Sequence, residues 1–262
     1  MPDLRAFAVP PEREPSEIRL SPEESHHLVS VNRGRAGDPV VVFDGKGREW
    51  ICELRHADRR AARLGVRVSQ AAPPLPYEIT LGQALPKGGA MDGIVRKATE
   101  LGVARIVPLE SERTQVHLER ERSDRKIEKW QQAALEACKQ CGNPWLPEIT
   151  AVQPASGFIA TAHDYDLKLI ASLHPGAQSL KVTLSDDFAA RGRPPRKVLW
   201  LIGPEGDFTP AEMSLAATAG FIPVTLGPLV LRCETAATYA VSVLSYELQH
   251  ALRMAGPGTA AD

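Results

Sequence analysis

Two short stretches carry residue types that can grip a ligand. LIGPEGDFTPAEM, residues 201–213, sets Gly203, Pro204, Glu205 and Gly206 between an apolar run and a helix start marked by Thr209, Pro210 and Glu212. IPVTLGPLVLRCETAA, residues 222–237, repeats the plan with Gly227-Pro228, a short apolar piece, and then Arg232, Cys233 and Glu234 ahead of a helix. Glycine permits positive φ or close backbone approach, and proline stiffens the path between the glycines. In an open α/β sheet, ligands sit at the carboxyl ends of the strands, where such strand-to-helix loops lie. One Gly-Pro turn alone can be a plain connector. Two such loops near one another would form the two walls of one pocket. The patterns G-x-G-x-x-G and G-x-x-x-x-G-K-[ST] are both absent, which disfavours a Rossmann dinucleotide site and a phosphate loop.

Other reactive residues carry less. His26 and His27 are adjacent on a helical patch, so they cannot both face one ligand, and no His or Cys stands at zinc spacing from them; no metal site is expected. Cys138 and Cys141 form a single C-x-x-C inside a helical stretch without a second pair and are read as packing residues.

The elements that must position the two loops follow from periodicity. Between residue 5 and about 70, short alternating runs (RAFAV, IRL, PVVVFDGKGREWICELRH, ARLGVRVSQ) are broken by turns and by one helical patch, SPEESHHLVSVNRG, opened by Ser21 with Glu24 three residues on. This is a small β domain, residues 1–72. AAPPLP is a stiff connector. Beyond it, strand-like runs (YEITLGQAL, RIVPLE, KLIASL, KVLWLIG, IPVTLG) alternate with helical ones, the pattern of an α/β domain with a largely parallel sheet, residues 73–255. Met91, Ile94, Val95, Ala98 and Leu101 make one helical face that Gly102 ends; further helices are expected from Arg122 to Cys141 and from Glu234 to Met254. The tail 256–262 is expected to be frayed.

Composition bounds the partners. Lys and Arg total 31 against 32 Asp and Glu, so any nucleic-acid contact must come from a local patch. The N-terminus lacks the apolar core of a signal peptide, and no run approaches the length of a membrane span. Four scattered cysteines are not a disulfide framework, and a reduced, cytoplasmic protein is expected.

LIGPEGDFTPAEM and LGPLVLRCETAA together resemble the two C-terminal signatures of SPOUT methyltransferases, specifically the 16S rRNA uracil-N3-methyltransferase family. HHLVSVNRGRAGD, MDGIVRKATELGVARIVPLESER and KWQQAALEACKQCGNPWLPEI extend the likeness over nearly the whole chain. The resemblance implies a PUA-like N-terminal β-barrel domain for RNA and a C-terminal SPOUT α/β domain tied in a trefoil knot. It also implies a homodimer, with S-adenosylmethionine held in the knot. By position, the cofactor loops would be Leu173 and His174, Gly203, Pro204, Glu205 and Gly206, and the run from Leu226 and Gly227 through Leu231, Arg232, Thr235 and Ala236. The family usually has glycine at Asp207, arginine at Leu229, threonine at Cys233 and arginine at Asn143.

Methylation of uracil N3 requires an exposed base that has lost its N3 proton. Arg232 and Glu234 are the candidates for holding the base and its developing charge; the alternative is that Glu234 only favours the helix start and Arg232 pairs with it. Arg5, His26, His27, Arg33, Arg35, Lys87, Lys97, Arg113 and Asn143, with the run RERSDRKIEK (120–129), are candidates for contact with 16S rRNA in the small ribosomal subunit. Competing functions are a catalytically silent RNA-binding protein of the same fold and a SPOUT enzyme with another RNA target. Cofactor binding separates the silent binder from the enzyme.

Overall fold

Alternating burial along short strands builds the first half of the chain. A computed structural model describes residues 4–114 and 120–254, so the tail 256–262 lies outside the described residues. Strands β1 (Arg5–Phe7), β2 (Glu17–Arg19), β3 (Pro39–Phe43), β4 (Arg48–His56) and β5 (Arg63–Ala71) form one curled sheet, half a barrel, in the order β1-β3-β4-β5-β2. The β1/β3 pair is parallel and the rest antiparallel, with two register shifts between β4 and β5. Helix α1 (Pro22–His26) runs on into a π-helical turn, His27–Val31, and packs Leu28 against Val40, Val42, Trp50 and Leu54.

Ser21 caps α1, accepting from Glu24 N at 3.2 Å, but Glu24 does not close the capping box. Its carboxylate instead accepts from Phe7 N at 2.9 Å and from Lys139 Nζ at 2.6 Å. A long-range ion pair has displaced the local contact.

In the second half, β6 (Glu78–Ala84), α2 (Ala90–Glu100), β7 (Arg105–Glu110), α3 (Arg120–Cys141), β8 (Glu148–Ile149), β9 (Gln153–Pro154), α4 (Ala155–Thr161) and β10 (Leu167–Ala171) follow in order. The chain continues through β11 (Gln178–Ser179), α5 (Leu180–Arg191), β12 (Lys197–Ile202), α6 (Pro210–Thr218), β13 (Ile222–Thr225) and α7 (Cys233–Met254). The strands make a parallel sheet in the order β11-β13-β10-β12-β6-β7-β8, with β9 also on β7. Apolar runs on β6, β7, β10 and β12 are buried because helices cover such sheets. Leu109, Leu199, Leu201, Phe158 and Ile159 form part of that core.

Contacts divide the chain into two units. One holds the residues up to Pro74 together with Leu135–Leu146; the other holds Leu75–Ala134 and the residues from Pro147 on. The segment 135–146, which composition assigns to the α/β half, therefore groups with the β sheet. Two packing contacts explain it: Lys139 reaches Glu24, and the Trp145 ring covers Gly47 of the DGKG turn, where an added Cβ would lie 2.1 Å from the ring.

Candidate functional site

The order of the parallel sheet brings the ends of β10, β12 and β13 side by side, and the loops after them meet. After β12, Asp207 N donates to the Pro204 carbonyl at 2.9 Å, which closes GPEGD into a turn. Thr209 and Glu212 then form a full capping box on α6: Glu212 N donates to Thr209 Oγ1 at 3.2 Å, and Thr209 N donates to Glu212 Oε2 at 2.9 Å. Glu212, only 3% exposed, also accepts from Glu112 N at 3.1 Å and Ser111 Oγ at 3.4 Å. One buried carboxylate thus fastens the loop after β7 to the helix that follows GPEGD.

The loop after β13 bends at Gly227, whose φ of 113° lies in the region that favours glycine. Thr225 Oγ1 accepts from Gly227 N at 3.2 Å. Gly203 has a different need: an added Cβ would stand 3.0 Å from Asp207 Oδ1, so close packing of the loop on itself keeps this position glycine. Asp207 takes positive φ, 59°, with its Oδ1 accepting from Phe208 N at 2.8 Å. Aspartate is among the few side chains that tolerate this region, so the turn the glycine would make is still made.

Together the three loops line an open cleft. Of the residues assigned to cofactor from the sequence, Leu173, Gly203, Pro204, Glu205, Leu226, Gly227, Leu231 and Ala236 line it. His174, Gly206, Arg232 and Thr235 do not, and neither does Glu234. His174 accepts from Gly176 N at 3.1 Å and shapes its own loop. Arg232 is exposed, and Glu234 is half-buried in the first turn of α7, where an acid suits the helix dipole. Ser172 and Ile202, which sequence reasoning missed, also line the cleft; their signal was only a position at a strand end.

The lining is apolar apart from a few groups, and its charges are of one sign. Glu205 and Asp207 line it and no Lys, Arg or His does, among the described residues. Cys233 lines it too, with its thiol pushed up to about 11 by burial first and then by the charges of Glu205 and Glu234. Burial outweighs the helix N-terminus that could have lowered it, and the side chain forms part of the cleft wall.

The residues assigned to RNA split between the two units. Arg5, His26, His27, Arg33, Arg35 and Asn143 belong to the first, and Lys87, Lys97 and Arg113 to the second. Arg5 Nη2 donates to Glu49 Oε1 at 2.5 Å and its guanidinium lies over the Phe43 ring; His27 faces Glu136 at 3.4 Å. Asn143 Oδ1 accepts from Trp145 N at 3.0 Å. These three are engaged within the fold, whereas His26, Arg33 and Arg35 are exposed. Lys87 and Arg113 meet beside GPEGD: Lys87 N donates to Glu205 Oε1 at 2.9 Å, and Arg113 Nη1 donates to the Gly206 carbonyl at 2.7 Å. Lys97 stands exposed on α2 and is not among the residues lining that place. The side chains of 120–122 within the run 120–129 lie outside the described residues. Among the described residues no group of His, Cys, Asp and Glu could hold a metal, and no helix is long and apolar enough to cross a membrane.

A family model for an RNA methyltransferase domain matches residues 73–245, and one for an RNA methyltransferase PUA domain matches residues 20–66. Over 233 residues the chain is 34% identical to ribosomal RNA small subunit methyltransferase E of Synechocystis sp., covering 88% of this chain and 74% of that protein. The Bacillus subtilis protein of the same name is 28% identical over 231 residues, covering 88% and 90%. A methyltransferase of Legionella pneumophila with bound SAM superposes with a TM-score of 0.82 at 34% identity, covering 93% of this chain and 97% of that one. The Neisseria gonorrhoeae ribosomal RNA small subunit methyltransferase E, bound to S-adenosyl methionine, gives 0.81 at 28% identity with the same coverage.

Proposed function

Since the chain belongs to the ribosomal RNA small subunit methyltransferase E family, we propose that it methylates N3 of a uridine in the 16S rRNA of the small ribosomal subunit, with S-adenosylmethionine as donor. The observation that carries this reading is the charge of the cleft. A cofactor with a cationic sulfonium and an ammonium group is favoured where carboxylates are the charged groups present, and Glu205 and Asp207 are those groups. Apolar walls from Leu173, Ile202 and Leu226 suit a purine ring, and the open space at Gly227 admits close backbone approach. The residues therefore fit the group.

The bound cofactor supplies an electrophilic methyl. The protein's part is to take the base out of its stack, exclude water and hold charge near N3. A silent RNA binder has no need of a formed, anion-lined cleft, which favours the enzyme. The raised thiol of Cys233 disfavours carbon-5 chemistry, which would need a thiolate to add to the ring. Leu173, Gly203, Pro204, Glu205, Leu226, Gly227, Leu231 and Ala236 are assigned to the cofactor, and the exposed His26, Arg33 and Arg35 to RNA.

The homodimer, the trefoil knot and a cytoplasmic location belong to the same reading. Tyr239 and Tyr246, seven residues apart on α7 and exposed at 49% and 71%, offer an apolar face for a second copy. Calorimetry with S-adenosylmethionine tests the cleft: the wild type should bind, and Gly203→Val, which drives a side chain into Asp207, should not. Equal affinity in both proteins would remove the cleft from the reading.

A further inference from the structure

The GPEGD loop has two sides. Glu205 lines the cofactor cleft on one and, on the other, a second cleft shared with Lys87, Glu112, Arg113, Thr114 and Gly206. We propose that this second cleft receives the target uracil and that Glu205 takes the proton from its N3. The proposal rests on the uridine-N3 reading above and names the base site and the proton acceptor within it.

The cleft is built from distant parts of the chain. Lys87 N holds Glu205 Oε1 across 118 positions, and Arg113 Nη1 holds the Gly206 carbonyl across 93. Arg113 is itself set by its loop: Ser111 N donates to Thr114 Oγ1 at 3.0 Å, Thr114 N to the Ser111 carbonyl at 2.9 Å, and the loop hangs from buried Glu212. These contacts fix the Glu205 carboxylate and the Arg113 guanidinium at the cleft before a ligand arrives.

What these contacts leave over is complementary to one base edge. Lys87 Nζ, Arg113 Nε and Nη2, and Glu205 Oε2 have no partner among the described residues. The pairing edge of uracil reads O2 acceptor, N3–H donor, O4 acceptor. Two cationic donors and one carboxylate oxygen line this cleft together, the set of groups that such an edge requires. Cytosine offers an amino donor and an unprotonated N3 on that edge, which the cations and the carboxylate would each meet wrongly. Arg232 and Glu234, the pair expected from the sequence, line neither cleft.

The chemistry balances within these groups. The N3–H bond breaks with its electron pair left on N3, and the proton forms an O–H bond with Glu205. Charge on the resulting imide spreads to O2 and O4, facing Lys87 and Arg113. The N3 pair then forms the bond to the methyl carbon as the carbon–sulfur bond breaks, its electrons passing to sulfur to leave neutral S-adenosylhomocysteine. Glu205 returns its proton to water.

Glu205→Gln tests this in single-turnover methylation of 16S rRNA followed from neutral to alkaline pH. The amide oxygen can still accept from Lys87 N, but one of the two carboxylates lining the cofactor cleft is lost, so calorimetry should show weaker cofactor binding and the rate is read at saturating cofactor. The rate at neutral pH should fall by about 10²-fold or more, the usual share of a general base. The deficit should shrink as pH rises and N3 ionises in solution, and on 5-fluorouridine RNA, whose N3–H is more acidic. A purely structural role would move neither. A wild type that forms 3-methyluridine while Glu205→Gln matches its rate, or a deficit insensitive to pH and to fluorine, would overturn the proposal and leave the uridine-N3 reading standing. A wild type that binds cofactor but forms no 3-methyluridine would fail the reading, and the proposal with it.

Discussion

Asp207 and Cys233 show how single residues keep the cleft while departing from the usual family pattern. Asp207 holds φ 59° with one hydrogen bond to Phe208 N. Asp207→Ala keeps the left-handed strain and loses that bond, whereas Asp207→Gly loses the bond and the strain. The alanine variant should be less stable than the glycine variant by about 1–2 kcal/mol, the cost of the left-handed region for an ordinary side chain, as read by urea denaturation. Equal stability would mean that the loop opens locally and carries no strain. For Cys233, a thiol at about 11 is ionised only about one part in a thousand at pH 8, since ionisation falls tenfold per pH unit below the pKa. Alkylation at that pH should mark exposed Cys141 long before Cys233, and Cys233→Thr should keep its methylation rate. Rapid labelling of Cys233, or an inactive threonine variant, would restore the nucleophile.

At the scale of elements, Glu212 ties the loop after β7 to the start of α6. Replacing it with alanine strands two backbone donors, Thr209 N and Glu112 N, and should cost about 2–4 kcal/mol. Thr209→Ala removes only the cap and should cost about 1 kcal/mol. If thermal unfolding ranks these two the other way, the bond to the second loop contributes nothing. The strands β6, β7 and β12 and the stripe on α2 were legible because their apolar spacing matches one period. Helix α5 was not: its buried positions are Leu180 and Thr183, while Val182 and Phe188 are exposed at 47% and 48%, so polarity and burial do not coincide. Helix α4 spans seven residues, too few to set a period. The Gly-Pro loops could be read locally, since capping box and turn residues are neighbours in sequence. Their partners Lys87 and Arg113 could not, because only the sheet order brings them there.

For the whole molecule, the division into two units depends on contacts that no linear reading supplies. Segment 135–146 follows a helix of the α/β half yet groups with the β sheet, through Lys139 on Glu24 and Trp145 on Gly47. Lys139 and Glu24 are 8% and 7% exposed, so Lys139→Ala leaves a buried carboxylate without its main partner. The loss should be about 3–5 kcal/mol, measured by urea denaturation, with a smaller loss for Lys139→Met paired with Glu24→Gln. A loss below 1 kcal/mol in the single variant would show that water reaches Glu24 and that the pair does not hold the segment. The central chemical claim is that this fold places a sulfonium methyl against N3 of a small-subunit uridine. Mass spectrometry of nucleosides from 16S rRNA, comparing a strain that has the gene with one that lacks it, tests the claim most directly. The account predicts that 3-methyluridine disappears from 16S rRNA on deletion and returns with the wild-type gene but not with Gly203→Val. Unchanged 3-methyluridine, or loss of a ribose or carbon-5 methyl instead, would contradict it.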